Sequence, residues 1–177
     1  GKSTLLKIMA GYEEPDGGTV VRANNLVIHY LPQDPEFDPE DDILTSVEKL
    51  AAHHGTSSEQ MEAKAMMTRL GITDFTQKTG ELSGGQRKRL ALVSVLFCPC
   101  DILILDEPTN HLDSEMAAWL EQELKRFRGA LVMVTHDRYF LDSVTNRIIE
   151  IDKGKIYSYQ ENYSGFLARK AEREDSE

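Results

Sequence analysis

The sequence predicts an α/β fold with a mainly parallel sheet, on three observations. Its second half alternates helical and strand patterns. Two of those strands, Ile102–Leu105 and Leu131–Val134, are continuous apolar runs, as parallel strands buried on both faces require. The chain also opens on Gly1-Lys2-Ser3-Thr4 directly before a helical pattern, matching the end of the phosphate-binding pattern G-x-x-x-x-G-K-[ST].

Residues 2–10 read as a helix, with Gly11 as its stop. Pro15-Asp16-Gly17-Gly18 is a turn, and Thr19–Arg22 with Leu26–Leu31 reads as a short hairpin after it. From Pro32 to Asp42 the chain is acidic and contains three prolines, so it is loop. Two helices follow, over 43–54 and 58–70. Ser57 with Gln60 resembles a capping box, Gly71 a C-terminal stop, and His53-His54 the end of the first helix. Helix 84–97 leads to strand Ile102–Leu105, helix 114–127 to strand Ala130–Val134, and a short helix near 138–143 to strand Arg147–Ile151. Trp119, Leu120 and Leu124 mark the core-facing side of helix 114–127. Lys153-Gly154 turns the chain into Lys155–Tyr159. The charged stretch Ala168–Glu177 reads as the start of a solvated helix or linker.

The chain's 177 residues suffice for one domain with a real core. No apolar run approaches the ~18–20 residues of a membrane-spanning helix. Acidic residues outnumber basic ones, 30 to 20, and the net charge of −10 argues against binding nucleic acid through the whole surface. Cys98 and Cys100 are the only cysteines; they make no disulfide framework, suit a reducing cytosol, and have no Cys or His cluster to complete a metal site.

Several short segments carry chemistry. The lysine of Gly1–Thr4 would reach β- and γ-phosphates and the Ser3 hydroxyl would bind Mg²⁺, with the helix N-terminus aimed at the anion. Strand Ile102–Leu105 ends in Asp106-Glu107, at the edge where open α/β sheets bind ligands. Asp106 can support the metal through its water shell, and Glu107 can polarise an attacking water as general base. Leu82-Ser83-Gly84-Gly85-Gln86 stands before a helix; it reads both as an anion site and as a local N-cap. Gln33 follows a strand where an amide could touch metal or water. His136 follows the strand 130–134, where position favours a γ-phosphate contact. Arg87-Lys88-Arg89 reads as a basic turn on a solvated helix face, with RNA phosphates as the sharper alternative.

In this order the segments resemble the ATP-binding cassette (ABC) ATPases, which are P-loop NTPases. The resemblance implies that Gly1, Lys2, Ser3 and Thr4 close the Walker A motif and Gln33 is the Q-loop. Ser83, Gly84, Gly85 and Gln86 then form the signature. Asp106 and Glu107 are Walker B, Asn110–Asp113 the D-loop, and His136 the switch histidine. It further implies ATP and Mg²⁺ as ligands, with Ser3, Gln33 and Asp106 toward the metal and Glu107, Gln33 and His136 toward hydrolysis. Two cassettes would sandwich two ATP molecules, Ser83 serving ATP held by the other.

Finer runs resemble the ABC-F branch: Asp106-Glu107-Pro108-Thr109-Asn110-His111-Leu112-Asp113, Thr135-His136-Asp137-Arg138-Tyr139-Phe140-Leu141-Asp142, and Tyr159-Gln160-Glu161-Asn162-Tyr163-Ser164-Gly165-Phe166. ABC-F proteins carry two cassettes on one chain and no membrane domain, and many act on the ribosome in translation or antibiotic resistance. The resemblance implies a cytoplasmic ATPase, with 1–164 as a partial first cassette whose helical subdomain covers about 43–98. Residues 165–177 would start the inter-cassette linker. The short stretch between Gln33 and Ser83 leaves no room for a long inserted arm. Gly1 falls inside the Walker A pattern, so the isolated chain is expected to lack N-terminal strands and to bind ATP weakly. The competing expectation is the ATPase subunit of an ABC transporter, which would share every catalytic residue.

Overall fold

The computed structural model describes residues 1–51 and 55–176. His53 and His54 lie outside them.

Helix α1 (Lys2–Ala10) ends as its sequence requires. Gly11 takes a left-handed φ of 89°, and the N–H groups of Gly11 and Tyr12 close on the carbonyls of Ile8 and Lys7. The next strand is β1 (Ile28–Leu31), which pairs in parallel with β2 (Ile102–Asp106). The hairpin expected between Thr19–Arg22 and Leu26–Leu31 does not form. Periodicity reports a strand but not its partner. Here the Asp101 carboxylate and carbonyl hold the entries to the strands, accepting from Val27 N–H and Ala130 N–H at 2.8 and 2.9 Å. Arg22 instead folds back over the end of α1, its guanidinium donating to the Ile8 and Met9 carbonyls at 3.0 Å each.

Helices α2 (Ile43–Ala51), α3 (Ser57–Arg69) and α4 (Gly84–Leu96) follow, the last preceded by a 3₁₀ turn at Thr79–Glu81. Thr56, not Ser57, caps α3: its hydroxyl accepts the Glu59 N–H, while the Gln60 amide reaches Glu48. Gly71 has φ 82° just past the helix, as a stop requires. Helix α4 is exposed at its first residues and fully buried from Leu90 to Val95.

Helix α5 (Ser114–Arg126) is amphipathic and buries Met116, Leu120 and Leu124, with Trp119 half-buried beside them. Strand β3 (Ala130–Val134) adds to β2 in parallel, giving a sheet of order β1-β2-β3. The α/β class with a parallel sheet stands as the sequence predicts. Strand β2 is central. Leu103 and Leu105 point into a core shared with α2, α3, α4, α5 and Phe140, whereas Ile104 packs with Leu6 and Tyr30 under α1. Alternate residues of one strand are therefore apolar on both faces, the origin of its continuous apolar run.

Short helix α6 (Arg138–Val144) leads to an antiparallel hairpin of β4 (Ile148–Asp152) and β5 (Lys155–Tyr159), a sheet separate from the first. Its turn residues Lys153 and Gly154 both have positive φ, 49° and 75°, the backbone a tight two-residue hairpin needs. Helix α7 (Tyr163–Glu174) begins at an Asn162 cap and is seated rather than wholly solvated. Phe166 is buried with its ring 5.0 Å from that of Tyr159. Lys170 and Arg173 reach Glu150 at 2.7 and 3.2 Å. Burial alone would raise the Glu150 carboxyl. Hydrogen bonds from Lys170 and Tyr159, with the charges of Lys170 and Arg173, outweigh it and hold the group below its ordinary value. Among the described residues no helix is long and apolar enough to cross a membrane.

Candidate nucleotide site

The strand ends bring Asp106, Glu107 and His136 to one edge of the sheet, with Glu107 in contact with His136. Asp106, the last residue of β2, is 1% exposed, and its Oδ1 has no hydrogen-bond partner. A bare buried carboxylate oxygen is costly. A hydrated cation satisfies it, and the group therefore fits the Mg²⁺ that accompanies a nucleoside triphosphate.

Glu107 is 9% exposed and has φ 51°, a conformation a non-glycine residue adopts only when its surroundings impose it. Those surroundings are visible. Its N–H donates to the Val134 carbonyl at 2.7 Å, and its own carbonyl accepts the Asn110 N–H at 3.2 Å. The strained turn aims the carboxylate at the end of β3. Oε1 lies 3.2 Å from His136 Nε2, and Oε2 accepts the His136 backbone N–H at 3.3 Å. The His136 ring is otherwise open, with 88% of the side chain exposed. A carboxylate held by one imidazole and one peptide N–H is oriented to take a proton, and the exposed imidazole is free to meet an anion.

The flanking loops are knit together. The hydroxyls of Thr109 and Thr135 lie 3.3 Å apart, and Thr135 also accepts the Asp137 N–H at 3.1 Å. Asp137 and Asp113 cap α6 and α5, so the loops that follow β3 and β2 each end on the residue that starts the next helix. Thr135 escapes sequence reasoning because a hydroxyl bridge between two loops has no local signature.

Gln33 is exposed two residues beyond Leu31, which is in register with Leu105, so it stands at the same carboxyl edge as Glu107. Gly1, Lys2 and Thr4 are exposed and Ser3 half-buried at the start of α1; Gly1 has no side chain to cap the helix, and its first turn carries no acid. Among the described residues no hydrogen bond or ion pair joins Gly1–Thr4 or Gln33 to Asp106, Glu107 or His136. Ser83 and Gln86 form a full capping box at the head of α4, so the local reading of that motif holds. A Cβ built on Gly84 or Gly85 meets nothing within 4 Å.

The basic turn after the signature is not a solvated face. Arg87 is exposed, but Lys88 is buried. Arg89 is pinned to the Leu70 carbonyl at 3.1 Å and lies 3.7 Å from Asp113. A sequence signal existed: Lys88 shares a helical stripe with Ala91, Leu92 and Val95, all buried. The Cys98 and Cys100 thiols are each pushed up to about 11 by burial, as unreactive thiols are. Among the described residues no group of three or more His, Cys, Asp or Glu side chains could hold a metal ion.

A central parallel strand ending in two buried acids, one bound to a histidine from the next strand, is the layout of a nucleotide-hydrolysing α/β cassette. The family profile described as ABC transporter matches residues 1–110, and the chain belongs to this family of ATP-binding cassette ATPases. It is 39% identical to the uncharacterized ABC transporter ATP-binding protein YfmR of Bacillus subtilis (strain 168), over 98% of this chain and 34% of that protein. It is 37% identical to the energy-dependent translational throttle protein EttA of Escherichia coli (strain K12), over 98% of this chain and 38% of that protein. The chain thus spans little more than a third of the length of these curated relatives. Among solved structures it resembles dimeric MJ0796, a bacterial ABC transporter cassette, with a TM-score of 0.74 and 25% identity, over 90% of this chain and 80% of that one. The YfmR alignment runs over 212 residues against a chain of 177, so that relative has residues in the matched stretch that this chain lacks.

Proposed function

We propose that this chain is the first cassette of an ABC-F protein that binds and hydrolyses ATP with Mg²⁺ and acts on the ribosome. The observation that carries the hydrolytic part is the Glu107–His136 pair beside the unsatisfied Asp106 oxygen. Ser3, Gln33 and Asp106 are the groups that would hold Mg²⁺, which supplies charge neutralisation at the β- and γ-phosphates. Lys2 and the N–H groups at the start of α1 bind phosphate. Glu107 takes the proton of the attacking water, and His136 orients that carboxylate while presenting its ring to the γ-phosphate. Residues 165–177, of which 165–174 belong to α7, would begin the linker to a second cassette on the same chain.

The ribosomal part rests on the three ABC-F-like runs and on similarity to EttA, whose name records translational action. Open space in front of Gly84 and Gly85 supports a signature that serves ATP in the opposite cassette, since nothing within this chain demands glycine there. Gly84→Ala or Gly85→Ala in the full-length protein is therefore expected to move stability and activity in opposite directions. Each should stabilise α4 by up to about 0.5–1 kcal/mol, read by chemical denaturation. Each should nevertheless reduce ATP turnover; unchanged turnover would remove the glycines from the nucleotide interface.

Ribosome co-sedimentation tests the proposal as a whole. The full-length protein carrying Glu107→Gln, with the corresponding change in any second cassette, should pellet with ribosomes when ATP is present and stay in the supernatant without it. Protein that never pellets points instead to a membrane permease as partner.

A further inference from the structure

We infer that Lys88 is a positioning residue for the catalytic carboxylate, joining the signature helix of this cassette to its own Walker B turn. The inference rests on the ATPase reading of the site and deepens it.

Lys88 is 8% exposed on the first turns of α4, two residues past Gln86. Its Nζ donates to the Glu107 carbonyl at 3.4 Å, a long contact but the nearest hydrogen-bonding partner in its surroundings. That carbonyl also accepts the Asn110 N–H, so the strained Glu107 peptide is gripped from two sides. The charges that bear on the ammonium come from two segments: Asp34 beside Gln33, and Asp106 and Glu107 at the end of β2. Burial pushes the amine below the ordinary lysine value, against the pull of those acids. A cation kept out of water is destabilising unless its surroundings use it. Here it faces Glu107, whose backbone is strained, and it offsets a cluster of carboxylates that would otherwise repel one another.

The helix that carries Lys88 begins at Ser83, and Arg89 on the same turn reaches Asp113 of the D-loop. Movement of α4 at its exposed head would therefore shift both the Glu107 turn and the loop that follows it. A signature segment engaged by nucleotide in the opposite cassette would in this way set the base in its own site. The state of one ATP site would reach the base of the other through Lys88.

The test uses the full-length protein with Lys88→Met, which keeps length and removes charge, and Lys88→Arg, which restores charge. Lys88→Met should lower kcat about tenfold or more, with KM within about twofold and an unchanged or higher melting temperature. Lys88→Arg should recover most of that loss. Wild-type kcat in Lys88→Met overturns the inference. So does a joint fall of kcat, melting temperature and ATP affinity that Lys88→Arg does not repair, because that is the mark of a merely structural residue. A second readout needs no turnover: the His136 ring resonances should shift in Lys88→Met and return in Lys88→Arg, because the ring is bound to the carboxylate that Lys88 positions. Unmoved resonances also overturn the inference. A wild-type protein that hydrolyses no ATP would instead overturn the ATPase reading, and the ring resonances would still decide the role of Lys88.

Discussion

Glu107→Gln in the full-length protein is expected to lower ATP turnover by at least about 10²-fold, the range lost with a general base. Binding should survive. The amide oxygen of Gln can still accept the His136 N–H that Glu107 Oε2 accepts at 3.3 Å, so the loop keeps its anchor. Neither Lys2, proposed to bind phosphate, nor Asp106 is touched. What disappears is a basic atom to receive the proton of the attacking water, since an amide cannot take it. The variant should therefore accumulate in the ATP-bound state, with ligand-driven closure intact and reopening blocked. Steady-state phosphate release measures the loss; turnover within about twofold of wild type would remove Glu107 from the role of base.

Phe140→Ala is expected to cost about 3–5 kcal/mol, the range for emptying a fully buried aromatic site. Phe140 is the one buried residue of α6 and projects into the main core with Leu103, Leu105 and Leu120. Its N–H is also the group that the Asp137 carboxylate caps, at 3.0 Å. Helix α6 starts two residues after His136, so unseating Phe140 loosens the histidine as well as the core. The denaturation midpoint should fall and ATP turnover should fall with it. A loss under about 1 kcal/mol would mean that α6 is held by its contacts with α5 and α7 rather than by this ring.

The legible parts of the molecule share a physical feature: their signals are local. Helix α4 declares itself by Ser83, whose N-cap forms as the sequence predicts, with Gln86 completing a capping box that the sequence reading places instead at Ser57 and Gln60. Strand β2 declares itself by an apolar run that only a strand buried on two faces carries. The β4–β5 turn follows from Lys153-Gly154, because glycine tolerates the positive φ the turn needs. Partners far along the chain were not legible. Strand β1 looked like half of a hairpin, yet its neighbour is β2, and the link between them runs through Asp101 to Val27. Helix α3 took its cap one residue early, where Thr56 and Ser57 are chemically equivalent candidates.

At the site, the identity of Asp106, Glu107 and His136 followed from their positions after apolar strands. Their arrangement did not. Nothing in Asp-Glu-Pro-Thr announces a left-handed Glu107, because that conformation is imposed by Val134 and Asn110 rather than chosen by glutamate. Lys88 is obscured for the opposite reason: its two flanking arginines suggest a solvated face, while its helical stripe points inward.

The most direct measurement is the identity of the nucleotide retained by the full-length Glu107→Gln protein after incubation with Mg²⁺ and ATP and removal of free ligand. Intact ATP, where wild type retains ADP or nothing, is the predicted result. Retained ADP in the variant would contradict the account, because hydrolysis would then proceed without the carboxylate assigned to it.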